Sequence, residues 1–301
     1  VGLERVSRVV GYKITKGAYS ESSPNLSMRI AVLGAANHAN QAALGLDPSP
    51  AVITSANEAA QLYGYGSPLH QMARILRPLF GAGIGGIPTV FYPQLEASGA
   101  TATTIDVTVT GTPTKNVSHR LVVNGRDNVD GEYYEVNITS TDDAAAIRAK
   151  IIDAVNNVTN APVTASDGTT KVVLTTKWYG ATSANLDVSV DTRGDAAGLT
   201  YTVSGKVSGT GTESIAAALA KFGNDWNTIV INPYGVETFE TLEQFNGTPS
   251  AIDPTGRYNG IVFKPFISLW GSTESDKDTI AAITNAGARL NQVTHVLCPA
   301  P

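Results

Sequence analysis

The chain has 301 residues, which exceeds the usual single domain of about 100 to 200 residues and therefore predicts two domains. Its net charge is −5 and it contains no run of Lys or Arg, so we expect no direct contact with nucleic acid. The single cysteine, Cys298, excludes an internal disulfide, and no apolar run approaches the roughly 18 residues of a membrane helix, so no membrane insertion is expected. Charged residues make up only 16%, which suits a surface covered by neighbouring subunits, although a Thr/Ser-rich secreted β-protein fits the composition as well.

Residues 1–16 (VGLERVSRVVGYKITK) place apolar side chains among basic ones, with no turn signal before the first apolar strand. The apolar positions are Val6, Val9, Val10 and Ile14. This pattern predicts an extended N-terminal arm. An ordinary edge strand of the same subunit is the alternative.

Residues 17–96 alternate strand and helix patterns, which predicts an α/β layer. Residues 28–36 (MRIAVLGAA) and 87–94 (IPTVFYPQ) have the continuous apolar character of buried strands. Between them, Ser55 is a candidate helix N-cap with Glu58 at the capping-box spacing. The apolar face expected for this helix is Ala59, Ala60, Leu62 and Tyr63.

Two glycines, Gly64 and Gly66, end that helix, and Ser67 followed by Pro68 begins another. The apolar positions of the second helix recur at three- and four-residue steps: Leu69, Met72, Ala73 and Leu76. Residues 53–76 therefore predict two short helices joined by a glycine turn.

Residues 97–209 change to a period of two, with turn signals such as Asn124-Gly125 and Asp167-Gly168 between apolar and polar alternations. One helix is expected here, capped by Thr141 and packed on one face of a twisted antiparallel sheet. Its apolar positions are Ala144, Ile147, Ile151 and Val155. Gly- and Ser-rich residues 97–102 and 204–212 are expected to act as hinges.

The α/β alternation returns after residue 210, so the β-rich block reads as an insertion. The predicted fold is an α/β core of residues 17–96 and 210–301, an inserted, mostly antiparallel β (α+β) domain of residues 97–209, and the arm of residues 1–16.

No motif predicts catalysis, a cofactor or a metal. Residues 81–86 (GAGIGG) match GxGxxG, but they follow a helix and precede a strand, the reverse of the dinucleotide-binding order. The Arg-Gly-Asp of residues 193–195 is expected to be a solvated turn. The four histidines lack the spacing of metal ligands: His38, His70, His119 and His295. Several acidic residues lie near predicted helix starts, where capping explains them: Asp142, Asp143, Glu274, Asp276 and Asp278.

Residues 54–72 resemble the segment T-S-x-x-E-A-x-x-x-[FY]-G-x-G-S-x-L-x-x-M of the sheath subunits of contractile phage tails, especially the Mu-like branch. Residues 214–234 and 285–301 resemble later helices and strands of the same family. The positions that match the motif are Ser55, Glu58, Tyr63, Gly64, Gly66, Ser67, Leu69 and Met72.

The resemblance implies a non-enzymatic subunit that polymerises helically around a tail tube and contracts to drive it through a cell envelope. It implies other sheath subunits, the tail tube and the baseplate as partners, no cofactor, assembly in the host bacterial cytoplasm and a place in the virion tail or in an injection particle. The N-terminal arm, with Val6, Val9, Val10 and Ile14, would add a strand to the sheet of a neighbouring subunit. The inserted domain would face outward, and a C-terminal sheath domain is expected outside this chain. Two other classes stay open: a carbohydrate-active or hydrolytic enzyme with an accessory β-domain, and an adhesion module built on the insertion.

Overall fold

The computed structural model describes residues 28–79, 81, 83–123, 134–235, 238–247, 256–257, 263–272, 276–284 and 295–299. In chain order the elements are β1 (Ile30–Ala35), α1 (His38–Leu44), β2 (Ala51–Val52), α2 (Ala56–Tyr63), α3 (Pro68–Leu76), β3 (Thr89–Gln94), β4 (Thr104–Gly111), β5 (Val117–Val123), β6 (Tyr134–Ile138), α4 (Ala144–Asn156), β7 (Val163–Asp167), β8 (Val172–Thr176), a 3₁₀ turn (Ala181–Asn185), β9 (Val188–Asp191), β10 (Leu199–Val207), α5 (Ala216–Ala220), β11 (Ile229–Ile231), α6 (Phe239–Asn246), β12 (Ile267–Ser272), α7 (Lys277–Thr284) and β13 (His295–Pro299).

Six strands form one mostly parallel sheet in the order β13-β12-β11-β1-β3-β2, in which only β2 runs antiparallel to its neighbour. Central strand β1 is buried along its whole length, as its continuous apolar sequence predicts. Ile30 lies opposite Thr89 of β3 and Ile229 of β11. We call the described residues 28–96 and 213–299 the parallel-sheet part.

Helices cover both faces of this sheet. On one face, α2 and α3 bury apolar side chains against Val32 and Phe91. On the other face, α5 and α6 enclose an aromatic cluster in which the ring centroid of Phe222 lies 4.7 Å from that of Tyr92. The predicted α/β layer is therefore confirmed.

Residues 104–207, the antiparallel part, form two antiparallel sheets with strand orders β10-β4-β8-β7 and β6-β5-β9. Helix α4 lies against both sheets and shares one core with them, including Ile147, Val107 and Leu121. The predicted mixture of an α/β core with mostly antiparallel β-structure is thus confirmed.

In the antiparallel part the sequence analysis was wrong about one helix cap, missed two elements and was correct about one turn. Helix α4 is capped by Asp143, whose side chain accepts a hydrogen bond from the Ala146 N–H at 2.7 Å, and Thr141 lies before the cap. Strand β7 and the 3₁₀ turn were not predicted. The Arg-Gly-Asp residues do form a turn between β9 and β10, with Arg193 at a φ of 55°.

The two chain segments that connect the parts lie side by side and form a neck (residues 97–103 and 208–212). The Thr101 N–H donates to the Thr210 carbonyl at 3.0 Å, and the Thr210 N–H donates to Thr101 Oγ1 at 3.0 Å. Deeper in the neck, Thr103 Oγ1 accepts from the Gly209 N–H at 2.7 Å and lies 2.9 Å from Ser183 Oγ. These bonds join the two stretches that the sequence predicts as hinges, residues 97–102 and 204–212. Part of the second stretch is not a hinge but strand, since β10 continues as far as Val207.

Candidate functional site

The candidate site is the segment of residues 53–76 that carries the family motif, and its first element is the start of α2. Ser55 Oγ accepts a hydrogen bond from the Glu58 N–H at 3.2 Å, which confirms the predicted N-cap. The Glu58 carboxylate accepts from the Thr54 N–H at 2.8 Å and from the Thr54 hydroxyl at 2.9 Å. A capping box would return this bond to the cap residue itself, so the bond lies one residue earlier than the motif predicts.

The turn between α2 and α3 passes through two glycines with left-handed backbone conformations. Gly64 has a φ of 91° and Gly66 a φ of 81°, both of which disfavour residues with a Cβ. A Cβ on Gly66 would also lie 2.1 Å from the carbonyl oxygen of Ala161. The glycine turn therefore permits close contact between the parallel-sheet part and the antiparallel part.

Helix α3 begins as the sequence predicts. Ser67 is fully buried and its Oγ accepts from the His70 N–H at 3.1 Å, while Pro68 occupies the first turn. His70 Nδ1 accepts from the Gly66 N–H at 2.9 Å, and the His70 ring lies edge-on to Tyr65. The His70 side chain is buried and holds the turn closed.

The apolar motif residues hold α2 and α3 against the sheet. Tyr63 stacks on Phe91 of β3, and burial raises the pKa of its hydroxyl well above the usual value. Leu69 is fully buried, and both Leu69 and Met72 approach Gly34 of β1 so closely that a Cβ there would lie within 2.9 Å of each. These contacts give the motif a packing role.

Leu62 was predicted on this apolar face, but it is exposed. Successive helical residues are rotated by about 100°, so Leu62 falls outside the arc shared by the buried residues of α2. Those residues are Ala56, Ala59, Ala60 and Tyr63.

The motif segment also donates a hydrogen bond to the antiparallel part. Gln71 of α3 donates from Nε2 to the carbonyl of Asn160 at 2.9 Å. Sequence reasoning missed Gln71, because a lone polar residue on a helix surface carries no signal of a partner 89 residues away.

The other candidate residues are not brought together. His119 is buried in the antiparallel part, where its ring nitrogens lie 2.7 Å from the Tyr201 hydroxyl and 2.8 Å from the Asp195 carbonyl. His295 and Cys298 are in β13, an edge strand of the parallel sheet. Strand β3, against which the motif helices pack, lies toward the opposite edge. Among the described residues, no three His, Cys, Asp or Glu side chains are arranged to hold a metal ion.

Two further predictions concern glycines and acidic caps. The described residues of 81–86 lie between α3 and β3, so the helix-then-strand order expected for this loop is confirmed. Asp276 Oδ1 accepts from the Thr279 N–H at 2.8 Å at the start of α7, as capping predicts. Glu274 lies outside the described residues.

The predicted intersubunit arm, with Val6, Val9, Val10 and Ile14, lies outside the described residues. In the portion of the chain that is described, no helix is both long enough and apolar enough to span a bilayer.

No protein-family model matches this chain. The chain is similar to the Mu-like prophage FluMu tail sheath protein of Haemophilus influenzae strain Rd, with 25% identity over 180 residues. The match covers 59% of this chain and 35% of that protein, so the chain spans about a third of the length of the curated relative it matches. This distant similarity supports no more than a relationship to tail sheath proteins.

Proposed function

We propose that this chain is a structural subunit of a contractile tail sheath, which polymerises helically around a tail tube and contracts to drive the tube through a cell envelope. Its partners are other copies of the subunit, the tail tube and the baseplate. It assembles in the host cytoplasm and resides in the virion tail or in a related injection particle. The proposal includes no catalytic step and no cofactor.

The observation that carries the proposal is the structure of the segment with the family resemblance. Residues 53–76 hold two capped helices on the sheet, and their turn contacts the antiparallel part at Ala161. Together with the similarity to a tail sheath protein, this arrangement supports a packing role for the motif within a rigid mechanical subunit.

The motif segment and the residues that follow it also expose apolar side chains, which assembly could bury. Ile75, in the last turn of α3, is 57% exposed, and Leu79, three residues beyond the end of that helix, is 78% exposed. Exposed apolar patches commonly mark protein contacts. In a sheath, neighbouring subunits would cover them.

The energy for contraction would come from contacts between subunits. A bistable assembly moves toward the state in which those contacts pack better, provided that the subunits are rigid and their connections are flexible. An extended arm that adds a strand to a neighbouring sheet supplies directional backbone hydrogen bonds and still tolerates rotation. Residues 1–16 are the segment that we propose for this arm.

Electron microscopy of the purified chain tests the proposal. We expect tubes or rings with helical order in negative stain. A stable monomer that binds glycans, or an esterase, glycosidase or peptidase activity abolished by alanine at Ser67 or His70, would contradict a purely structural role.

The arm is tested separately by deleting residues 1–16 and by Val10→Pro, which removes a backbone donor from the strand. Val10→Thr is the matched control, because it keeps both the β-branched shape and the N–H. We expect the first two variants to fold, as judged by circular dichroism, without polymerising, while Val10→Thr assembles normally. Normal sheaths from the deletion variant would refute the arm but leave the sheath assignment intact.

A further inference from the structure

A second junction between the two parts lies beside the neck, at the start of α1. The ring of His38 stacks on the ring of Tyr179, with 3.7 Å between the centroids and 4° between the planes. His38 Nδ1 lies 2.7 Å from Glu96 Oε2. We call His38, Tyr179 and Glu96 the clasp.

The backbone reinforces the clasp. The N–H of His38, in the first turn of α1, donates to the Lys177 carbonyl of the antiparallel part at 2.9 Å. The first N–H groups of a helix have no partner within the helix, and the cap residue Asn37 makes no side-chain capping bond here. The antiparallel part thus supplies one of the hydrogen bonds that the start of α1 lacks.

Glu96 belongs to the parallel-sheet part, two residues beyond the end of β3 and one residue before the neck. Its side chain is only 11% exposed, and its N–H donates to Gln41 Oε1 of α1 at 2.7 Å. His38 is therefore fixed from the parallel-sheet side by Glu96 and from the antiparallel side by Tyr179.

The space beside the clasp is not filled by packed side chains. A cleft of about 580 Å³ separates the two parts there, lined by Tyr65, Val155, Thr159 and Thr176 among others. Because packing across this boundary is interrupted, the orientation of the parts depends on a few discrete contacts. Among the described residues these include the clasp, the backbone bond from His38 to Lys177, the Gln71 bond to Asn160, and the contact of the Gly66 turn with Ala161.

We propose that His38 is the positioning residue that couples the two parts, so that the antiparallel part keeps one orientation on the parallel sheet and does not swing about the neck. The neck alone is a pair of adjacent chain segments, about which rotation needs only small backbone changes. The clasp opposes this rotation beside the neck, where His38 holds Tyr179 of the antiparallel part, and it acts together with the contacts of Gln71 and the Gly66 turn.

Spin-label distance measurements on the full chain test this proposal. Labels are placed at Thr202→Cys on β10 and Glu240→Cys on α6, both of which are exposed, in a Cys298→Ser background. The protein with an intact clasp should give a single narrow distance distribution. His38→Ala and Tyr179→Leu should each lose that narrow peak and gain broad components, whereas Gln61→Ala, an exposed change on α2, should keep it.

Circular dichroism and thermal melting of each labelled variant show whether both parts remain folded. Tyr179→Leu keeps an apolar side chain against His38, so it provides a folded test even where His38→Ala lowers stability. Folded His38→Ala or Tyr179→Leu protein with the same narrow distribution as the intact clasp would overturn the proposal.

Discussion

Asn246 pairs with both main-chain polar groups of Phe266. Its Nδ2 donates to the Phe266 carbonyl at 3.0 Å, and its Oδ1 accepts from the Phe266 N–H at 3.1 Å. The Asn246 side chain is fully buried at the end of α6, and Phe266 immediately precedes β12. This amide therefore stands in for a strand partner at a point where the sheet has not yet begun.

Asn246→Ala should lower the free energy of unfolding by about 2 to 4 kcal/mol, because it leaves two buried backbone groups unsatisfied. Urea denaturation followed by circular dichroism measures the loss. Gln244→Ala, on the exposed side of the same helix, is the matched control and should change stability by no more than about 0.5 kcal/mol. Equal losses in the two variants would refute the assigned role of Asn246.

Gly66→Ala should lower the free energy of unfolding by about 2 to 5 kcal/mol. Backbone strain from the left-handed conformation accounts for about 1 to 2 kcal/mol of this loss, and overpacking against Ala161 for about 1 to 3 kcal/mol. Gly99→Ala is the control: Gly99 has a φ of 74°, and a Cβ at this position would meet no other atom within 4 Å, so only the strain applies. Chemical denaturation of both variants isolates the steric contribution. A Gly66→Ala loss no greater than that of Gly99→Ala would mean that the turn moves away from Ala161 freely.

Asp142 should make the stability of the antiparallel part dependent on pH. The side-chain hydrogen bond from Lys150, and then the Thr139 N–H, hold the pKa of this carboxyl below its usual value. A carboxyl whose pKa is lower in the folded than in the unfolded state stabilises the fold above the unfolded pKa, about 3.9 for Asp, and this contribution is lost as the pH falls through the folded pKa.

The melting temperature of the Asp142→Asn variant should therefore lie below that of the unchanged chain at neutral pH, and the difference should shrink in acid. Melting curves recorded over a pH series measure this convergence. Lys150→Met removes the principal hydrogen-bond donor to Asp142. In a Lys150→Met background, the Asp142→Asn substitution should therefore lower the melting temperature by less. A constant difference across the series would exclude Asp142 as its source.

A fragment of residues 97–209 should be soluble and should melt cooperatively, because the core of the antiparallel part is built from residues within it. The adjacent segments of the neck bring the fragment's two ends together. Residues 112–209 form the matched control, since this shorter fragment lacks β4, which lies between β10 and β8. We expect the control to remain unfolded.

The reciprocal deletion, in which a short Gly/Ser linker replaces residues 97–209, should leave the parallel sheet folded. Circular dichroism and limited proteolysis would show this. A wholly unfolded deletion variant would place the domain boundary elsewhere.

Local chemistry made part of the candidate site predictable. Ser55 was correct as an N-cap and Ser67 as the start of the next helix, because a side-chain oxygen immediately before a helical pattern commonly caps that helix. The buried strands β1 and β3 were predictable from continuous apolar runs. The turn glycines were recognisable from the same local pattern, since Gly64 follows the last helical residue of α2 and Gly66 precedes Ser67, the N-cap of α3.

Other features depend on information that is not local. Thr139, Thr141 and Asp143 all precede α4 and all have capping oxygens, so the sequence does not identify which one begins the helix. Strand β7 follows Pro162 and has only two buried apolar side chains, and its place is set by pairing with β8. The clasp joins residues from distant positions by ring stacking, for which the sequence has no periodic signal.

The position of β1 at the middle of the parallel sheet has a consequence for biosynthesis. Its partner β3 follows soon in the chain, but its other neighbour β11 comes much later, and the bonded residues Arg29 and Thr228 are 199 positions apart. At a translation rate of roughly 5 to 20 residues per second, about 10 to 40 s separate their emergence from the ribosome. During this interval one edge of the nascent β1 has no partner, while the later antiparallel strands can already pair locally. The completed sheet must therefore form after the insertion has been made, and the nascent chain depends on keeping that edge from aggregation until then.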